Sequence, residues 1–179
     1  MSLTLVIAVL ALGAVLFLYY LARGQSALVS NLDDLGGRTH RVDVEALRNL
    51  IDPEQELYLR TKLTPGDFRR LQRQRAWASI EYVGRIAHNA AVLLRLGEAA
   101  RKNPDPRIAA AAQDIVDSAL RVRIFALLAL TRLFAQVALP GTATSASDIF
   151  QKYQQLTYAA GLLARLQRPA YAGRLTALL

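Results

Sequence analysis

The chain of 179 residues contains no cysteine. That excludes a disulfide scaffold, a thiolate nucleophile and any cysteine-ligated metal, and it leaves the redox compartment open. Histidine is almost as scarce, with His40 and His88 the only two, so a multi-histidine metal centre would need carboxylates or a second chain. The spacings that carry common chemistry are missing as well. There is no G-x-x-x-x-G-K-[ST], no G-x-G-x-x-G, no H-E-x-x-H and no G-x-S-x-G, so phosphate loops, zincin sites and a nucleophile elbow have no support. E-x-x-H is absent too, which removes the ligand pattern of di-iron helical bundles. No cofactor or metal is therefore expected. No run alternates apolar and polar residues with period two, so the expected fold class is all-α.

Hydrophobic residues make up 53% of the chain and charged residues 20%. That balance is too apolar for a disordered chain and fits one membrane anchor plus one domain of roughly 140 residues. The formal net charge is +8, and 19 of the 22 basic residues are arginine, a bias typical of GC-rich coding sequence.

Residues 1–22 contain no charged side chain, and Leu3 to Leu21 is a continuous apolar stretch. At about 1.5 Å per residue it spans roughly 28 Å, close to the thickness of a bilayer core. Tyr19 and Tyr20 fall where such a helix would meet the headgroups, and Arg23 follows as a basic flank. A cleaved signal peptide would want a basic side chain before a shorter apolar run and a small-residue cleavage site, and neither is present. The expectation is a single-pass signal anchor. Arg23, Arg38 and Arg41 lie on its C-terminal side and no basic side chain lies on the other, so the positive-inside rule puts the remainder in the cytosol, against a bacterial inner membrane. Thr4-x-x-x-Ala8 is only a weak small-residue motif, which argues for anchoring more than for tight pairing of spans.

Residues 23–42 read as a tether broken by Gly24 and Gly36-Gly37, with a short helix possible from Ser26 to Leu35, and residues 43–179 as a helical bundle. Short helices are expected from Val42 to Ile51, capped by Asp43, and from Pro53 to Leu63, with Glu54 and Glu56 favourable against the helix dipole. Thr64-Pro65 caps a long helix to Lys102, and Asp105 caps a second from Pro106 to Leu139. The TATSAS stretch (142–147) is a polar loop before a helix to Gln167, and a tail helix closes the chain. Three seams repeat with coiled-coil-like spacing of four and three. They are Ala76, Ile80, Val83, Ala87, Ala90, Leu94 and Gly97; then Ile108, Ala112, Ile115, Ala119, Val122, Ala126, Ala129 and Leu133; then Ile149, Tyr153, Leu156, Ala160 and Leu163. The short turn between the two long helices makes an antiparallel hairpin, and its small-residue seams allow close approach.

Three clusters stand out as candidates. Arg69, Arg70, Arg73 and Arg75, with Trp77, form a basic run without an intervening acid. It reads as a solvated helix face, as a patch for anionic lipid or a protein partner, or least of all as a nucleic-acid contact, which would want more interleaved aromatics. Ile124 to Leu130 is apolar all round and bracketed by Arg121, Arg123 and Arg132. It is either the centre of the bundle or, through Phe125 and Leu128, an apolar interaction surface. Glu81, Arg85 and His88 share a helix face and are the only residues worth naming for acid–base chemistry, at a spacing too common to signal it. Asp114 and Asp117 are expected to be solvated or paired with Arg121.

Without a catalytic constellation, the expected role is binding: a membrane-anchored scaffold or accessory subunit of a membrane complex, with a protein partner or a second copy. A lipid-binding module is the rival reading and an enzyme the more distant one. No small-molecule substrate is indicated, and nucleic acid is not the expected partner.

Overall fold

The computed structural model describes residues 38–138 and 147–167, and every regular element among them is a helix. The expected anchor with Tyr19, Tyr20 and Arg23, the tether as far as residue 37, residues 142–146 of the polar loop and the tail helix lie outside the described residues. Among the described residues, no helix is long and apolar enough to cross a membrane.

The helices are α1 (Val44–Leu50), α2 (Pro53–Lys62), α3 (Pro65–Ala100), α4 (Pro106–Ala138) and α5 (Ser147–Gln167). Side-chain oxygens preceding the first four set their starts. Asp43 accepts from the Ala46 N–H at 3.0 Å, Asp52 from Glu54 at 3.0 Å, and Asp105 from Arg107 at 2.9 Å. Thr64 accepts from the Asp67 N–H at 3.3 Å while its hydroxyl donates back to the Asp67 carboxylate at 2.7 Å. Each satisfies a donor that the first helical turn leaves open. The Asp52 cap is an addition to the expected starts, since the sequence pattern names no cap before Pro53.

The turn from Arg101 to Asp105 folds α4 back antiparallel on α3, and α5 packs mainly on α4. In the second seam Ile108 is partly buried and Ala112 through Leu133 are buried, and the whole α5 seam is buried. The α3 seam is buried at Ala76, Val83, Ala90, Leu94 and Gly97, with Ile80 and Ala87 partly covered. α3 also buries a second line, Ile86, Val92, Leu93 and Leu96, because α1 and α5 cover another of its sides.

The hairpin is tightly closed at Gly97. A Cβ there would stand 2.9 Å from Val116 Cγ2 and 3.0 Å from the Ala112 carbonyl oxygen, so only hydrogen fits. Gly84, on the same helix, meets nothing within 4 Å. There glycine brings only its entropic cost, and Gly84→Ala is expected to raise stability by about 0.5–1 kcal/mol, read as a higher urea midpoint at unchanged slope.

The bundle begins before Asp43. Val42 is buried, and the backbone of Arg38 and His40 is bonded to α3. This stretch is laid against the bundle, whereas the sequence pattern alone assigns it to the tether.

Candidate functional site

The basic run divides by helical phase. Arg75 turns into the fold, where its Nη2 donates to the backbone carbonyls of Asn49 at 2.9 Å and Leu50 at 3.0 Å, capping the C-terminal end of α1. Arg69 donates from Nε to the Pro65 carbonyl in its own first turn. Arg70 and Arg73 are exposed, and steps of three and four place them beside Trp77 on one flank of α3. Trp77 is 55% exposed, and its ring meets Phe134 of α4 edge to face, with centroids 6.2 Å apart. Phe134 is itself 45% exposed and was not singled out by the sequence pattern.

The apolar run of α4 serves two surfaces. Ala126 and Ala129 enter the core, whereas Leu120, Ile124 and Leu128, one per turn, are 45%, 58% and 47% exposed. Heptad spacing from Leu120 through Leu127 to Phe134 carries this strip on to the aromatic pair. Phe125 lies elsewhere, half-buried toward α5, with the Lys152 ammonium 5.9 Å from its ring centroid. Of the two residues named for an apolar interaction surface, Leu128 is therefore outward and Phe125 is shared with the next helix. Arg123 is half-buried on α4. Burial, then the charge of Arg95, pull its pKa below the ordinary arginine value, and Glu98 opposes them.

Glu81, Arg85 and His88 do line one exposed face of α3, and each is occupied locally. Glu81 pairs with Arg85 one turn on. His88 Nε2 lies 2.8 Å from the Arg38 carbonyl oxygen, which can only accept, so Nε2 carries the proton in that bond. Its ring stands 4.7 Å from that of His40. This geometry fastens the segment entering α1. Asp117 accepts from Gln113 at 2.9 Å, one turn before it, instead of pairing with Arg121.

The residue that the sequence pattern misses is Asn89. Fully buried, it accepts from the His40 N–H at 2.8 Å and donates to the His40 carbonyl at 2.7 Å and to the Tyr153 hydroxyl at 2.8 Å. One amide thus joins the incoming segment, α3 and α5. Burial raises the Tyr153 pKa above the ordinary phenol value, only partly offset by the bond from Asn89, so the hydroxyl is neutral at physiological pH. The available signal was an amide between the apolar seam residues Ala87 and Ala90, next to His88.

A small cleft where α1 to α4 meet has a free volume near 20 Å³ and is edged by Glu56, Gln72, Arg75, Ser79 and Gln136. Such a volume holds about one water molecule. Gln72 donates to the Glu56 carboxylate across it at 2.8 Å. Among the described residues, no group of three histidines and carboxylates gathers as a metal site. Comparison with protein-family models, curated proteins and solved structures finds no match.

Proposed function

We propose that the chain is a single-pass membrane protein whose helical bundle works by binding, as a scaffold or accessory subunit of a membrane complex. Residues 1–22 are the anchor in this reading, and the basic residues after it favour a cytosolic bundle, at a bacterial inner membrane. The observation that carries the binding role is the outward strip Leu120, Ile124 and Leu128 on α4. Single exposed apolar residues are ordinary on a protein surface. A strip of three successive turns, continued by the half-buried Leu127 to an exposed aromatic pair, is the form that a docking surface takes.

Replacing Ile124 and Leu128 together with serine tests this. Both side chains are outward, so the pair is expected to change stability by no more than about 1 kcal/mol, seen as a melting curve close to that of the parent. Full-length protein gently extracted from its own membranes should give a reproducible native mass of this chain plus another protein, and the double variant should lose it. A bare chain, or a homo-oligomer carrying only lipid, would overturn the scaffold reading.

A further inference from the structure

We infer that the flank of α3 bearing Arg70, Arg73 and Trp77, continued by Phe134 of α4, docks on an anionic phospholipid bilayer. The inference rests on the anchored reading for the presence of a membrane nearby; the chemistry of the face stands apart from it. Between Asp67 and Glu81 the chain has four arginines and no acid. Those two bounding acids are engaged, Asp67 with the Thr64 hydroxyl and Glu81 with Arg85. With Arg75 turned into the fold, Arg70 and Arg73 are left to present positive charge beside a half-exposed indole. Guanidinium groups and aromatic rings at one level match the layering of a membrane interface, where phosphates lie above acyl carbonyls and indole favours the boundary.

The face is turned away from α5, and the entering segment crosses the same side of α3 only about three turns further on, at His88. Asn89 is twelve helical steps after Trp77, about 120° of rotation around α3, and Asn89 faces α5. Phe134 is about half a turn around α4 from Phe125, which faces α5 as well. Docking by this flank leaves α5 and α1 away from the bilayer. It turns Ile124 and Leu128 sideways, about 80–120° from Phe134 around α4, toward a partner held in the same membrane.

Trp77 is the only tryptophan, so the full chain reports on this face without a label. The protein is reconstituted into vesicles of phosphatidylcholine alone or with phosphatidylglycerol, and matched vesicles carry lipid brominated high on the acyl chain. With anionic lipid, Trp77 emission should move to shorter wavelength and be quenched by the brominated lipid; with neutral lipid it should do neither. An arginine beside an anionic leaflet is worth about a factor of five, so Arg70→Gln with Arg73→Gln should lower the ratio of docked to undocked protein about 30-fold. High salt should act in the same direction.

Emission indifferent to anionic lipid overturns the inference. So does a shift to shorter wavelength without bromine quenching, which would mean that protein covers the ring. Retention on the vesicles after an alkaline carbonate wash reports the anchor separately. A chain that washes off, yet was quenched beforehand, removes the anchor and keeps the docking face; a retained chain with an unquenched Trp77 does the reverse.

Discussion

Gly97→Leu is expected to abolish the cooperative folding of the bundle. Even the first carbon of a side chain would meet Val116 Cγ2 at 2.9 Å, the Ala112 carbonyl oxygen at 3.0 Å and Ile115 Cγ2 at 3.2 Å. The two methyl groups can give a little. The carbonyl belongs to the backbone of α4 and moves only if the helices separate. Alanine at this site gains about 1 kcal/mol of helix propensity and loses about 1–3 kcal/mol to overpacking, so Gly97→Ala should be destabilised by about 1 kcal/mol net. Leucine adds three more carbons to a site with room for none, and the separation it forces removes contacts along the seam from Leu94 and Ile115 outward. A loss of several kcal/mol is large against the 5–15 kcal/mol that holds a typical domain together. Circular dichroism during urea unfolding is the measurement. A cooperative transition for Gly97→Leu near the parent midpoint would mean that α3 and α4 do not approach this closely. Gly84→Ala is the internal control, because the same chemistry on the same helix should have the opposite sign.

Asn89→Leu carries the second large effect, about 2–4 kcal/mol of lost stability. The substitution nearly conserves volume and removes three hydrogen bonds at once, from both backbone groups of His40 and from the Tyr153 hydroxyl. Each hydrogen bond contributes about 0.5–1.5 kcal/mol net, so three lost together account for a cost of this size. Tyr153 is 1% exposed and has no access to water in exchange, whereas His40 is exposed and recovers part of its loss from solvent. Two readouts separate this from general core damage. Trypsin should cut after Arg38 and Arg41 faster than in the parent, because the entering segment loses its clamp at His40. Combining Asn89→Leu with Tyr153→Phe should cost less than the sum of the two single changes, because each already breaks their shared bond. Additive losses with unchanged tryptic cleavage would mean that Asn89 is an ordinary core position.

The clamp matters to the proposed function because it lies on the path to the anchor. Fourteen residues separate Arg23 from Arg38. At about 3.3–3.6 Å per residue, that linker and its flanking bonds reach at most about 50 Å. Under the proposed anchoring the bundle would stay within that reach of the membrane, and the chain enters the bundle at the middle of α3, at His88 and Asn89, rather than at the start of α1.

The helical content and most boundaries were legible because they depend on neighbours in the chain. Proline at the first helical position of α2, α3 and α4, with Asp or Thr before it, acts within one turn and needs no distant partner. The seams were legible for a related reason. A four-three spacing turns one stripe of a helix to a single side, and the residues on it, Ala112 through Leu133 and Ile149 through Leu163, are the ones that the structure buries. The candidate surfaces were legible only as composition. Four arginines in a row of seven say nothing of which one bends back to cap another helix, and Arg75 does so because α1 ends beside it.

The sequence by itself determined that the described chain is helical, where its helices start, and which stripe of each meets another helix, since propensity, capping and periodicity are properties of short windows. Only the tertiary structure decided which second faces are covered. It put Ile86 and Leu93 inside and left Ile124, Leu128 and Trp77 outside, because neighbouring helices pack on the faces that carry the first two and leave those that carry the others open to solvent. It also decided that a lone asparagine and a histidine, unremarkable in the chain, hold the entering segment in place. Their partners lie 49 and 50 residues away, and hydrogen bonds at that separation follow from how helices stack, which no local pattern encodes.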